Sequence, residues 1–155
     1  MRTITTHTTV YKFEELTEEA QRKALELLYD INVDYDWWGF TYEDAKTIGC
    51  EIRAFDIDRG SYCKLTCPNT FETASLIMVN HGETCDTYKL AKMYLKTSTE
   101  DGDKQDDLDA EFIRALSEEY LSLLRQEYEY QTSEEAIKET IVCNDYEFTI
   151  EGRIF

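Results

Sequence analysis

The residues able to do chemistry are few, and their spacings are loose. Cys63-x3-Cys67, then thirteen residues, then His81-x3-Cys85 follows the outline of a one-knuckle, one-helix zinc finger. Thiolate and imidazole together are what Zn²⁺ prefers in a closed tetrahedral site. Against that reading, a three-residue knuckle is loose, nothing basic accompanies it, and a chain that is 42% apolar has no need of a metal to hold its core. The cysteines are expected to act as small buried hydrophobes. Cys63, Cys67, His81 and Cys85 remain a weak metal candidate, and no cofactor is expected.

Paired carboxylates are the next possibility: Asp56 and Asp58 beside Arg59, or Asp34 and Asp36 ahead of the tryptophans. Two acids at i, i+2 on a strand share a face and could hold Mg²⁺ or serve as acid and base. In a chain with 33 acids such pairs arise by chance, so solvated strand-end charges with Arg59 as partner are expected instead. Nucleophilic catalysis needs a base, and only His7 and His81 are available. Cys85 lies four residues beyond His81, within reach only if a helix continues across Gly82; a helix-end histidine that bonds the last carbonyls is the expectation. No P-loop, G-x-G-x-x-G, G-x-S-x-G or H-E-x-x-H occurs. No catalytic residue is assigned. A small metal-dependent or thiol enzyme using Asp56, Asp58, His81 and Cys85 is kept as an alternative.

Charge is the stronger signal. The 33 acids against 16 Lys and Arg leave −17 on 155 residues. Residues 100 to 135 hold 13 acids and three basic residues, a net −10, while the other 119 residues share −7. Such a field repels nucleic acid and lipid headgroups and attracts basic surfaces. Rows of carboxylates on a rigid helix can imitate the phosphates of a duplex and so occupy a basic nucleic-acid cleft. The aromatic group Tyr35, Trp37, Trp38, Phe40 and Tyr42 is disfavoured as a base-stacking platform, because Asp34, Asp36, Glu43 and Asp44 attend it and no Lys or Arg interleaves. One tryptophan is expected in the core, with its neighbour partly exposed.

The elements that must position these residues follow from periodicity. Residues 3 to 13 read as a first strand. Thr17 is placed to cap a helix carrying Ala20, Ala24, Leu27 and Leu28 at helical spacing. A short helix stops at Gly49, and a hairpin runs from Cys50 through the Arg59-Gly60-Ser61 turn to Thr66. Helices are predicted over 70 to 80 and 85 to 96, with an exposed acidic loop from Ser98 and a long helix from Leu108. Ser133 caps a last helix reaching about Cys143, and Tyr146, Phe148 and Ile150 suit a closing strand. The fold class predicted is α+β, with a small mostly antiparallel sheet of about four strands packed with four to six helices in a single domain. The acidic loop and long helix occupy about 98 to 131. No run reaches the roughly 18 residues of a membrane span, and the N-terminus lacks a signal-peptide block. A cytoplasmic protein with its five cysteines reduced is therefore expected.

Several strings together, VYKFEELTEEAQRKALE, YDINVDYDWWGFTYEDAKTIG, FDIDRG, NHGETCDTYK, SEEAIKETI and NDYEFTIEGRIF, resemble a family of small uncharacterised proteins of bacteriophages, prophages and gut bacteria. The likeness runs over nearly the whole chain. It implies the cytoplasm of a bacterial host, and some members carry the label of antitoxin in a toxin-antitoxin pair. The family shares the residues at 81, 82 and 85 but not Cys63 and Cys67, and it supplies no catalytic residue. The functional expectation is a non-enzymatic, phage-associated inhibitor that covers a basic, nucleic-acid-handling surface of a host protein by charge mimicry. Asp106, Asp107, Asp109, Glu111, Glu118 and Glu119 would carry the contact, with Trp37 or Trp38 as an apolar anchor. Neither nucleic acid nor membrane is expected as a direct partner.

Overall fold

Local caps set most of the helix boundaries. Thr17 Oγ1 accepts from the Ala20 amide at the start of α1 (Glu18–Leu27), and Ser133 Oγ accepts from Ala136 at the start of α6 (Glu134–Cys143). Gly49, at φ +75°, turns the chain after α2 (Gly39–Thr47) into β1 (Glu51–Asp56). A computed structural model describes all residues, Met1–Phe155. The remaining elements are β2 (Tyr62–Thr66), α3 (Thr70–Asn80), α4 (Asp86–Thr97) and α5 (Gly102–Gln131).

The chain forms two compact units, one made of residues 1–37 and 128–155, the other of residues 38–127. In the first, α1 and α6 bury Ala20, Ala24, Ile137 and Ile141 with Phe13, Leu16 and Phe148. Gly152, at φ +83°, lies so close to the Ala20 carbonyl that a Cβ would collide with it. Buried Asn32 donates to the Gln131 carbonyl at 3.1 Å and accepts from Thr140 at 2.7 Å, so its amide is satisfied. In the second unit, Ile48, Ile52, Leu65, Ala74, Ile77, Tyr94, Phe112, Leu116 and Tyr120 make the core. The apolar stripe of α5 faces this core, as its 3.6-residue period requires.

The α+β class holds, but the sheet has two strands, not about four. Residues 1 to 10 have no regular structure and are exposed up to Thr9. Only Tyr11 pairs with Phe148, which in turn pairs with Ile154, each as an isolated bridge. Alternation alone cannot make a strand without a neighbouring edge to complete its hydrogen bonds, and the threonine-rich start buries almost nothing to hold one. The hairpin is as predicted, with an irregularity in register at Arg53.

Two further expectations are corrected. The run from Gly102 to Asp107 is helical, not a loop: Asp101 Oδ1 accepts from the Lys104 amide at 3.2 Å, and Asp103 sits in the first turn, where the helix dipole favours it. Cys50 and Cys67 form a disulfide, so the cysteines are not all reduced. The β1/β2 register pairs Glu51 with Thr66, which makes Cys50 and Cys67 the next pair outward, with Cα atoms 4.4 Å apart and thiols within bonding reach.

Candidate partner-binding surface and an acidic cleft

The six carboxylates singled out on α5 separate by helical angle. Successive residues turn by about 100°, so Asp103, Asp107, Glu111 and Glu118 fall within one outward stripe opposite Phe112, Leu116 and Tyr120. All four are exposed, as is Asp106 beside them. No ion pair neutralises these five; the nearest acid that has one is Asp101, 3.9 Å from Lys104. Exposed Arg114 interrupts the stripe. From residue 103 to 118 the axis rises about 22 Å, so the five charges average one per about 5 to 6 Å of axis, with about 10 Å between Glu111 and Glu118, sparser than one phosphate per about 3.4 Å of a DNA strand. From Asp103 to Glu111 the axial steps are shorter than the Debye length of about 8 Å at physiological salt, so these four carboxylates act on a partner together, while Glu118 stands just beyond that range.

Asp109 and Glu119 do not belong to that stripe. Asp109 is half-buried and accepts from the Tyr94 hydroxyl at 2.5 Å and from Gln105 Nε2 at 2.8 Å. Burial and the neighbouring Asp109 push the Tyr94 phenol up to about 12. These groups line a 430 Å³ depression with Asn69, Phe71 and Ser98. Glu119 lines a separate cleft, where burial and then the charges of Asp86 and Glu118 raise its pKa.

That second cleft, 710 Å³ in volume, lies within the unit of residues 38–127, between α2, the α3–α4 connection and α5. Asp44, Asp86, Glu119 and Glu127 line it, and none of the lining residues is a lysine or arginine. At its wall the His81 ring is 9% exposed. Its Nδ1 is 2.6 Å from Thr87 Oγ1, while buried Nε2 has no hydrogen-bond partner and stands 3.5 Å from Asp44 Oδ2. The same Asp44 oxygen accepts from Tyr120 at 2.7 Å, and burial and Asp44 together push the Tyr120 phenol up.

The remaining candidates are placed as follows. His81 and Cys85 line the same cleft, but α3 ends before Gly82, and Thr87, not Cys85, occupies His81 Nδ1. With the other ring nitrogen facing Asp44, neither is offered to the thiol, and the Cys-His arrangement for nucleophilic catalysis is not formed. The zinc set does not assemble either: Cys67 is bonded to Cys50, and no three His, Cys, Asp or Glu side chains gather as a metal-binding group. Asp56 Oδ1 accepts from the Asp58 amide at 2.8 Å and so closes its own turn, and Arg59 pairs with neither acid. Asp34, Asp36 and His7 are exposed. Trp37 is half-buried against Tyr128, with ring centroids 5.4 Å apart. Trp38, also half-buried, packs on Phe55 at 5.5 Å and on Tyr42 at 6.5 Å. Each therefore gives part of its ring to its own unit rather than one being core and the other free.

Asp44, Thr87 and Tyr120 were not selected from sequence, because nothing local joins residues up to 76 positions apart. The one signal was His81, a lone imidazole at a helix end in a chain with two histidines. No helix is long and apolar enough to cross a membrane. Comparisons with family models, curated proteins and solved structures return no match for this chain.

Proposed function

We propose that this is a non-enzymatic, phage-associated binding protein that acts in the bacterial cytoplasm. It occupies a basic surface of a host protein, one that handles nucleic acid, and blocks it by acidic charge mimicry. The observation that carries this reading is the outward stripe of α5: Asp103, Asp106, Asp107, Glu111 and Glu118 stand exposed, with no cation of their own chain paired to them. Leaving like charges about 6 Å apart on a helix is mildly unfavourable for the isolated protein, so a partner's cations would relieve a cost that folding leaves in place. A spacing wider than that of a phosphate strand supports recognition by field rather than by shape. The resemblance to phage and prophage proteins supports a host target.

The test is affinity capture from bacterial lysate at low and high salt, with the retained proteins identified by mass spectrometry. The reading expects a basic nucleic-acid-binding protein held at low salt, released at high salt, and lost to a variant with Asp106→Asn, Asp107→Asn, Glu111→Gln and Glu118→Gln. A partner retained equally by that variant and at both salts would overturn it. Capture of a toxin by the same surface would keep the contact and reassign the partner.

A further inference from the structure

Helix α4 carries the opposite sign to α5. Residues 87 to 99 contain three lysines and no Asp or Glu, in a chain whose net charge is −17. Lys89, Lys92 and Lys96 are spaced i, i+3, i+7 and so fall within about 60° of one another, on the side of α4 opposite buried Thr87, Ala91 and Tyr94. All three are exposed, with Met93 exposed beside them. Lys89 shares its charge with Asp86 at 3.5 Å, while Lys92 and Lys96 pair with no acid. The inner side of the same helix is held against α5, where Tyr94 stacks on Phe112 at 4.6 Å and donates to Asp109. The lysine ridge and the ridge of Asp103, Asp106, Asp107 and Glu111 belong to one unit, residues 38–127, yet no ion pair joins them. Like charges three and four residues apart make each ridge mildly unfavourable by itself, and each has the sign the other needs.

We propose that α4 docks on the α5 ridge of a second copy of this chain, in a two-fold dimer with each lysine ridge against the other copy's carboxylates. The lengths match: the lysines span about 10 Å of helix axis, and the four acids from residue 103 to 111 about 12 Å. One two-fold operation satisfies both ridges of both copies, because an isologous interface uses the same patch twice. Met93 lies inside that contact as an adaptable apolar side chain between the charged rows. The net −17 of each copy opposes approach, but charges more than about 8 Å apart are largely screened at physiological salt, while facing ridges in contact are not. A nucleic-acid backbone laid on α4 would be repelled by the carboxylates of α5 beside it, whereas a second copy brings a lysine ridge to those as well. The dimer covers the α5 stripe and so competes with a host partner for it, but its formation needs only this chain.

Analytical ultracentrifugation of the purified full protein tests this. At about 0.1 M salt the weight-average mass should rise from 18.2 kDa toward twice that value as protein approaches about 1 mM, and at about 1 M salt it should stay at 18.2 kDa. Lys92→Glu with Lys96→Glu should abolish the rise. Asp107→Lys with Glu111→Lys should abolish it too, although that pair of changes lowers the net charge by which copies repel. An equimolar mixture of the two variants, each shown to be folded by circular dichroism, should restore the dimer, since every reversed ridge then meets its opposite. A monomer at both salts, an association that persists at the higher salt, or a mixture no heavier than its components would overturn the proposal. Host capture is read separately. The Lys92 and Lys96 variant keeps the α5 stripe and should still hold a basic host partner, so a missing dimer with that partner retained would remove the dimer alone.

Discussion

At the residue scale, burial and pairing divide the five cysteines into three chemical classes. Cys85 and Cys143 are exposed, Cys63 is half-buried with its thiol pushed up to about 11 by burial, and Cys50 and Cys67 are joined. Alkylation of the native protein at neutral pH should therefore label Cys85 and Cys143 within minutes and Cys63 far more slowly, with Cys50 and Cys67 labelled only after reduction. Peptide mass spectrometry reads this directly, and label on Cys50 or Cys67 without reductant would contradict the pairing. Tyr94 gives a second residue-level prediction. A phenol whose native pKa is raised from 10.0 to about 12 stabilises the fold fully below pH 10, and that contribution is lost as pH rises from 10 toward 12. Denaturation midpoints should fall over this window, and Tyr94→Phe should make the fall shallower, with Tyr120 supplying part of what remains. An unchanged slope would show that the Tyr94–Asp109 bond is not formed in solution.

At the element scale, what could be read from sequence was what is decided locally. The caps at Thr17, Ser133 and Gly49 and the 3.6-residue stripes placed all six helices, because cap and period lie within a few residues of each other. The acidic start of α5 was missed since polarity resembles a loop; Asp101 as a cap with Asp103 behind it was the signal available. The first strand failed for the opposite reason. Its alternation was real, but pairing is a property of two segments, and Tyr11 meets Phe148 at a single bridge. The disulfide followed from a hairpin register that alternation could not fix, although the hairpin itself was legible. Closing Cys50 to Cys67 restricts a loop with a sequence separation of 17, worth about 3 kcal/mol through the unfolded chain. Reduction should lower the unfolding free energy by about that amount in denaturant titrations, and no change would mean that the hairpin holds without it.

At the scale of the molecule, −17 is compatible with any soluble acidic protein, and the structure divides it by location. Asp109 is committed to Tyr94 and Glu119 to the cleft, which leaves Asp103, Asp106, Asp107, Glu111 and Glu118 as the surface a partner would meet. Sequence supplied the count and helix angle the face, but inward hydrogen bonds to residues far along the chain were beyond either. The most direct measurement is competition for the host partner, once captured, between this protein and duplex DNA over a range of salt. The account predicts that the protein displaces DNA, that its own affinity falls linearly as log Kd against log salt, and that changing Asp106, Asp107, Glu111 and Glu118 to amides flattens that slope. An affinity independent of salt, or DNA and protein bound together without competition, would contradict charge mimicry.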